Sequence, residues 1–522
     1  MTIYHGTIIT VDKNDSVFSY LVESEGKIVF IGNELPETFK QGNIVELGNG
    51  CLIPSFVDTH QHFASFSLFN DGLNVMNARS NDEIITMIKA FVDKTKNKLI
   101  IAFGASPYSV KEKTLVTREM IDSVCPDKPF FMVKYDGHAC VVNSALLKKV
   151  DDKVKHLRGY HPDTGEMNQE AFFAVSDYVT NSISIISLIK CMQKSMDYQA
   201  SKGIGMVHTV SGVGFPLNLD ISIEKIVAKS AQHGFQIRVF PQSMNVKVAK
   251  SRRLPRIGGC FECALDGCYG SEDASLYEPY LDDKNNCGVL YYSDEKVIDF
   301  CKKANRAGLQ IEMHAIGDKA FDQAARAIKA ALDDYPRKDH RHGIIHACLP
   351  TKEGFKICQE YNIQLPMQIA FDDWAQEPME YIESILGKDR AIRTNPVKSF
   401  MDLGCVVGAG SDAPCTDPDP IVWLSKAVNH TNPSQAITIQ DALRMCTYNG
   451  AFLSFDEKER GSLEVGKIAD MVILDKNIYT CPKNEIINTK VVKTILGGKE
   501  YSNQNRSVFG TLIHGLFSRQ KY

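Results

Sequence analysis

The chain contains no run of about 18 apolar residues, so no segment is expected to cross a membrane as a helix. Nor does one charge dominate: 59 lysines and arginines face 63 aspartates and glutamates, a net of −4. That balance argues against nucleic acid as the main partner. Low-complexity tracts and internal repeats are also missing. The start, MTIYHGTIITVDKNDS, lacks the apolar core and cleavage site of an export signal, so a cytoplasmic protein is expected.

Cysteine, by contrast, is plentiful. Fifteen are scattered through strand-like and helix-like segments of 522 residues and do not frame short loops. Without an export signal they read as reduced thiols in a cytoplasmic enzyme. CFECALDGC, with Cys260, Cys263 and Cys268, opens with the C-x-x-C of many zinc sites, but a second ligand pair at the usual spacing is missing. Hydrophobic content of 44% and charged content of 23% are ordinary for a globular protein of one large core with additions, or of two to three domains.

Both ends read as short strands punctuated by Gly, Asn and Pro: TIYHGTIITVD, SYLVESEGKIVFIG and NIVELGNGCLI early, GSLEVGKIADMVILDKN and VVKTILGGKEY late. One small β-sandwich assembled from residues 1–52 and 458–522 is therefore expected. The middle alternates helix and strand. Val297, Phe300, Cys301 and Ala304 fall at helical spacing before a capping Gly308, LQIEMH reads as a strand, and 319–335 as a second helix with Asp318 as a candidate N-cap. HGIIHACL then reads as another strand. Repetition of this unit predicts an α/β fold with a parallel sheet, most economically a (β/α)₈ TIM-type barrel over 53–457. Residues 105–165 mix helices and loops and read as a lid insertion over the barrel mouth.

The chain spends its 14 histidines unevenly. In LIPSFVDTHQHFASF, His60 and His62 follow an apolar run two positions apart, so on a strand both rings share one face. Two imidazoles so placed can reach one metal ion, or they are simply a polar strand end leading into a loop. His314 ends QIEMH, His346 ends GIIH, Asp412 follows an apolar run in CVVGAGSDAP, and Glu262 lies in GGCFECALDG. Singly each has a bland explanation. Together they gather at the C-terminal ends of expected barrel strands, where barrel enzymes place their chemistry.

The order His-x-His, carboxylate, His, His, Asp resembles the amidohydrolase superfamily of metal-dependent hydrolases. DGHACVVNSALL, MHAIGDKAF, GSDAP and GSLEVGKIADMVIL resemble its YtcJ-like branch, which includes N-substituted formamide deformylases. The resemblance covers essentially the whole chain. It implies a barrel with a β-sandwich from both termini, and His60, His62, Glu262, His314, His346 and Asp412 as metal ligands. Many relatives read K-x-x-x-D-G where this chain reads ECALDG, so Glu262 stands in place of a carboxylated lysine that bridges two metals. Either Glu262 bridges two ions, or only one ion is held. Cys260, on the same strand face, is the alternative ligand. Zinc is the first expectation, with manganese or iron as alternatives.

The same resemblance implies that Asp412 both binds metal and moves a proton while activated water attacks a C–N bond of an amide, N-substituted formamide or cyclic amide. Asp136, His138 and Asn143, in the lid motif, are expected to touch a small-molecule substrate, the alternative being a structural network within the lid. Phe371, Trp374 and Tyr108 are candidates for an apolar pocket or for core packing, and His208 is a further pocket-lining candidate. A homodimer is compatible with the sequence. The competing functions are deamination of a small heterocycle and an inactive barrel scaffold. Retention of the ligand set argues against the scaffold.

Overall fold

The computed structural model describes residues 1–212, 215, 218–230, 234–502 and 507–518. Three parallel strand sets build the centre. Phe56–Gln61 pairs with Ile204–Ser211, which pairs with Gln236–Pro241. Arg256–Ala264, Gln310–Ala315 and Gly343–His346 form the second set, and Leu365–Met367 with Val407–Ala409 the third. The sets abut one another, Gln236–Pro241 beside Arg256–Ala264, Gly343–His346 beside Leu365–Met367, and Val407–Ala409 beside Phe56–Gln61. These strands are buried almost throughout, as parallel strands covered by helices must be.

The helices between them follow from apolar spacing. Asp294–Arg306 buries Val297, Phe300, Cys301 and Ala304, and Gly308 follows at φ 78°, the left-handed backbone expected just past a helix end. The next helix, Asp318–Asp334, is capped by Gly317. Asp318 is therefore its first residue and not the expected N-cap, and its Oδ1 accepts from the Tyr277 N–H at 2.9 Å.

Strands from both ends of the chain share one seven-stranded sheet. Asn43–Pro54 lies between Thr2–Ile9, to which it is parallel, and Met471–Leu474, to which it is antiparallel. Alternation sorts its side chains: Cys51 and Ile53 join the main core, while Leu52 joins a smaller core with Tyr4, Leu21 and Met471. These seven strands form one sheet, and the bridge between Lys27 and Ile468 brings its outer strand back toward the segment before Met471–Leu474. Beyond Tyr501 the chain leaves it, and Val508–Phe517 is a helix packed on Leu219–Lys229. Of the expected range 458–522, residues 503–506 and 519–522 lie outside those described.

The expected lid differs most from its reading. Segments between Leu73 and Asn168 form a six-stranded mixed sheet, so the insertion starts well before residue 105. Phe130 and Met132 face one apolar cluster and Phe131 and Val133 another, giving the sheet a core on each side. Among the described residues no single helix is long and apolar enough to cross a membrane.

Candidate active site

Strand ends bring the chemistry together. Phe56–Gln61 carries His60, and His62 follows as the N-cap residue of the helix Phe63–Asn70. Gln310–Ala315 carries His314, and Gly343–His346 ends on His346, in register with Ala315. The ring centroids of His60 and His62 lie 5.5 Å apart, those of His60 and His346 5.4 Å, and those of His314 and His346 4.4 Å. Asp412 Oδ1 is 3.1 Å from His60 Nε2 and 3.3 Å from His62 Nε2. His346 and Asp412 sit at φ 69° and 54°. For residues with a Cβ that backbone costs on the order of 1–3 kcal/mol, a strain typical of functional positions.

Five of the six expected ligands therefore converge. Glu262 does not. It is exposed at the cavity wall and belongs to none of the compact donor groups. The pairing of Arg256–Ala264 with Gln310–Ala315 shifts between Gly259 and Ala264, so residues 260–263 bulge. Bulges re-aim side chains. Gly258 and Gly259 lead into the bulge at φ 118° and 123°, and a Cβ on Gly258 would meet the Glu312 carbonyl oxygen at 1.9 Å. The consequence is that Cys260 turns inward, its Sγ 3.4 Å from His60 Nε2 and 3.7 Å from His314 Nδ1. Neither Cys263 nor Cys268 joins these donor groups.

The donor set suits a metal ion. Three groups have ligand atoms mutually within 4.8 Å: His60, His62 and Cys260; Cys260, His314 and His346; His60, His346 and Asp412. Burial and neighbouring histidines hold His346 well below the ordinary histidine range; burial lowers His60 too, against the pull of Asp412. Neutral rings are the ligand form. Burial would raise Asp412, but the facing His60 and His62 rings hold it well below the usual carboxylate range. Burial keeps the Cys260 thiol high in the protein alone. The buried Nδ1 atoms of His60 and His346 have no hydrogen-bond partner among the described residues, while His60 Nε2 faces the other donors.

Two supporting carboxylates escaped the sequence reading. Asp266 accepts backbone N–H bonds from Ser275, Ile316 and Gly317, and lies 3.5 Å from His314 Nε2. Asp58 accepts from the backbone N–H groups of His60 and Ser411 and from the Ser411 hydroxyl, tying together the two segments that carry His60 and Asp412. Burial raises Asp58 to about 7 against those hydrogen bonds. The aspartate of ECALDG and that of VDTHQH were the available signals.

The site opens into a cavity of about 690 Å³ lined by Phe261, Tyr291, Tyr292, Phe371, Trp374 and Ile382 among others. Asp136 and His138 also line it, with Asp136 paired to Lys134 at 2.8 Å. Asn143 does not. It is fully buried, accepts from the Phe130 and Leu146 N–H groups, and donates to the Cys125 and Lys128 carbonyls, so its amide is spent on structure. Tyr108 and His208 are likewise absent from the lining. Tyr108 donates to the Gly270 carbonyl at 3.2 Å, and His208 is buried near Phe240.

A family model described as the amidohydrolase family matches residues 43–501. The chain belongs to the amidohydrolase family. Among curated relatives, this amidohydrolase is 25% identical to Protein LONG AFTER FAR-RED 3 of Arabidopsis thaliana, over 96% of this chain and 91% of that one. It is 25% identical to the putative amidohydrolase YtcJ of Bacillus subtilis, over 87% and 89%. It is 22% identical to the N-substituted formamide deformylase of Arthrobacter pascens, over 95% and 97%. An uncharacterized metal-dependent hydrolase from Pyrococcus horikoshii superposes with a TM-score of 0.75 at 24% identity, covering 92% of this chain and 99% of that one. That likeness establishes a mixed α/β fold.

Proposed function

We propose that this amidohydrolase uses a divalent metal to hydrolyse a carbon–nitrogen bond in a small amide, N-substituted formamide or cyclic amide. The convergence of His60, His62, His314, His346 and Asp412 beneath one cavity carries this reading. The order of abutting strands, from Phe56–Gln61 round to Val407–Ala409 and back, supports a closed (β/α)₈ barrel. On that reading the site lies at the C-terminal strand ends, the catalytic face of such barrels. Two relatives named as an amidohydrolase and a formamide deformylase support the bond class.

The residues that would hold the metal are these five together with Cys260, a set of nitrogen, oxygen and sulfur donors that suits zinc best. Bound there, the ion supplies Lewis acidity toward a carbonyl oxygen and makes water acidic enough to act as a nucleophile near neutral pH. Asp412 does the proton work. Its Oδ1 faces His60 and His62, leaving Oδ2 to take the proton of the attacking water and pass it to the leaving nitrogen. Asp136 and His138 supply polar contacts at the cavity wall, and Phe371 and Trp374, stacked at 5.1 Å, supply an apolar surface for the substrate body.

The test is elemental analysis of the purified protein, followed by a panel of formamides, amides, lactams and amino-heterocycles. Hydrolysis of a member of the first three classes, abolished by a chelator and restored by zinc, is expected. Deamination of a heterocycle alone would replace the proposal, and a protein that binds no metal would end it.

A further inference from the structure

We propose that the helix Val508–Phe517 is a surface anchor that lays its outer face into an anionic lipid bilayer. The inference is independent of the metal and of the reaction. It starts from a helix that is apolar on two faces. Thr511 and Gly515 are buried, and Val508 and Leu512 pack beside them on the main core. This inner face is closely seated: Thr511 Oγ1 accepts from Gln193 Nε2 at 2.8 Å, and a Cβ on Gly515 would meet the Ile226 carbonyl oxygen at 2.2 Å.

Docking of the inner face fixes what the outer face shows to solvent. Phe509, Ile513, Leu516 and Phe517 fall at i, i+4, i+7 and i+8, so they form one stripe on the opposite side. They are 72%, 42%, 63% and 82% exposed. A helix on a protein surface normally turns polar and charged side chains to water there. Contiguous exposed apolar side chains of this kind mark a surface that binds something.

Charge names the occupant. Residues 501–522 hold Arg506, Arg519 and Lys521 and no aspartate or glutamate, in a chain whose net charge is −4. Arg506 stands two residues before the helix and Arg519 two residues after it. Cations bracketing an apolar stripe with two phenylalanines suit anionic headgroups above the acyl boundary. A second copy of the chain suits the stripe less well. The helix face is ~15 Å long and about 10 Å wide, roughly 150 Å² in plan. A stable protein interface covers about 800 Å² on each partner. Attachment to a bilayer scales with apolar area and charge and needs no such minimum.

The experiment floats the full-length protein with vesicles of phosphatidylcholine, alone or mixed with phosphatidylserine. The protein is expected to rise with the mixed vesicles, to stay behind with phosphatidylcholine alone, and to be released by high salt. Phe509→Ser together with Phe517→Ser should weaken binding about 10-fold or more, because both rings leave water only on the bilayer. Phe517→Trp should shift its emission to the blue on the mixed vesicles, a reading that needs no loss of function. A wild type that floats with neither vesicle would overturn the inference. So would binding that phosphatidylserine does not strengthen, or a double serine variant that binds as tightly as wild type. A dimer in sedimentation equilibrium that the double variant separates would also overturn it, giving the stripe to a second copy.

Discussion

The Asp412 backbone N–H donates to the His60 carbonyl oxygen at 2.8 Å, while the Asp412 carboxylate stands 3.1 Å from the ring of the same histidine. One residue thus binds its neighbouring segment twice, through main chain and side chain. Its φ of 54° is what lets the backbone pair outward while the carboxylate points in. Asp58 completes the tie by accepting the N–H groups of both His60 and Ser411. The Asp412 carboxylate and the His-x-His pair are therefore held as one unit.

Asp412→Asn keeps the shape and the backbone pairing but cannot take up a proton. Turnover should fall by roughly 10³-fold or more, with the fold and most of the metal retained. Near-normal kcat at unchanged metal content would remove Asp412 from the mechanism.

Asp266→Asn should loosen His314 without touching substrate. Groups that orient a metal-binding histidine are commonly worth about 10–100-fold in metal affinity. Competition with a chromophoric chelator reads this directly, and an unchanged affinity would reduce Asp266 to a loop anchor for Ile316 and Gly317.

Asn143 and His138 should separate stability from binding. Asn143→Ala leaves buried N–H and C=O groups unpaired and should lower stability by about 2 kcal/mol or more, seen as a lower denaturant midpoint. His138→Ala, at an exposed position on the cavity, should raise KM with little change in midpoint. The opposite pattern would return Asn143 to the substrate.

Acid should weaken one particular tie. Asp456 accepts from Arg238 Nε at 2.7 Å and Nη2 at 2.6 Å. Burial raises its pKa, but the Arg238 guanidinium prevails and holds it down to about 2. The folded value lies below the unfolded value of about 3.9. The pair's contribution, roughly 2 kcal/mol, is therefore complete above about pH 4 and is lost as pH falls toward 2. The stability gap between wild type and Asp456→Asn should narrow over that range. A constant gap would show that the carboxylate stays protonated, or stays ionised, throughout.

Removing the chain after residue 460 should give insoluble protein. It deletes Met471–Leu474, whose backbone pairs with Asn43–Pro54 from Cys51 to Pro54, and takes Leu463, Ala469, Met471, Ile473 and Ile495 out of the apolar cluster that holds Leu52. A soluble and active truncation would show that the N-terminal strands stand alone.

What the sequence determined by itself was whatever depends on local period. His60 and His62 had to share a side once their segment was extended. Val297, Phe300, Cys301 and Ala304 had to form the stripe that Asp294–Arg306 buries. His314, His346 and Asp412 were legible because each closes an apolar run. The tertiary structure alone decided what depends on pairing partners distant in the chain. Whether Cys260 or Glu262 faces the histidines turns on the bulge between Gly259 and Ala264 against Gln310–Ala315, because in a regular strand residues two apart would share one face. Asn143 looks like a site residue in its motif, yet its amide is consumed by Phe130, Cys125 and Lys128, groups gathered only when the inserted sheet folds. Asp266 gains its meaning the same way, from N–H groups about 50 residues away that converge on it across the strand ends. Periodicity is written in neighbouring residues, while register and hydrogen-bond satisfaction are settled between segments that meet only in the folded chain.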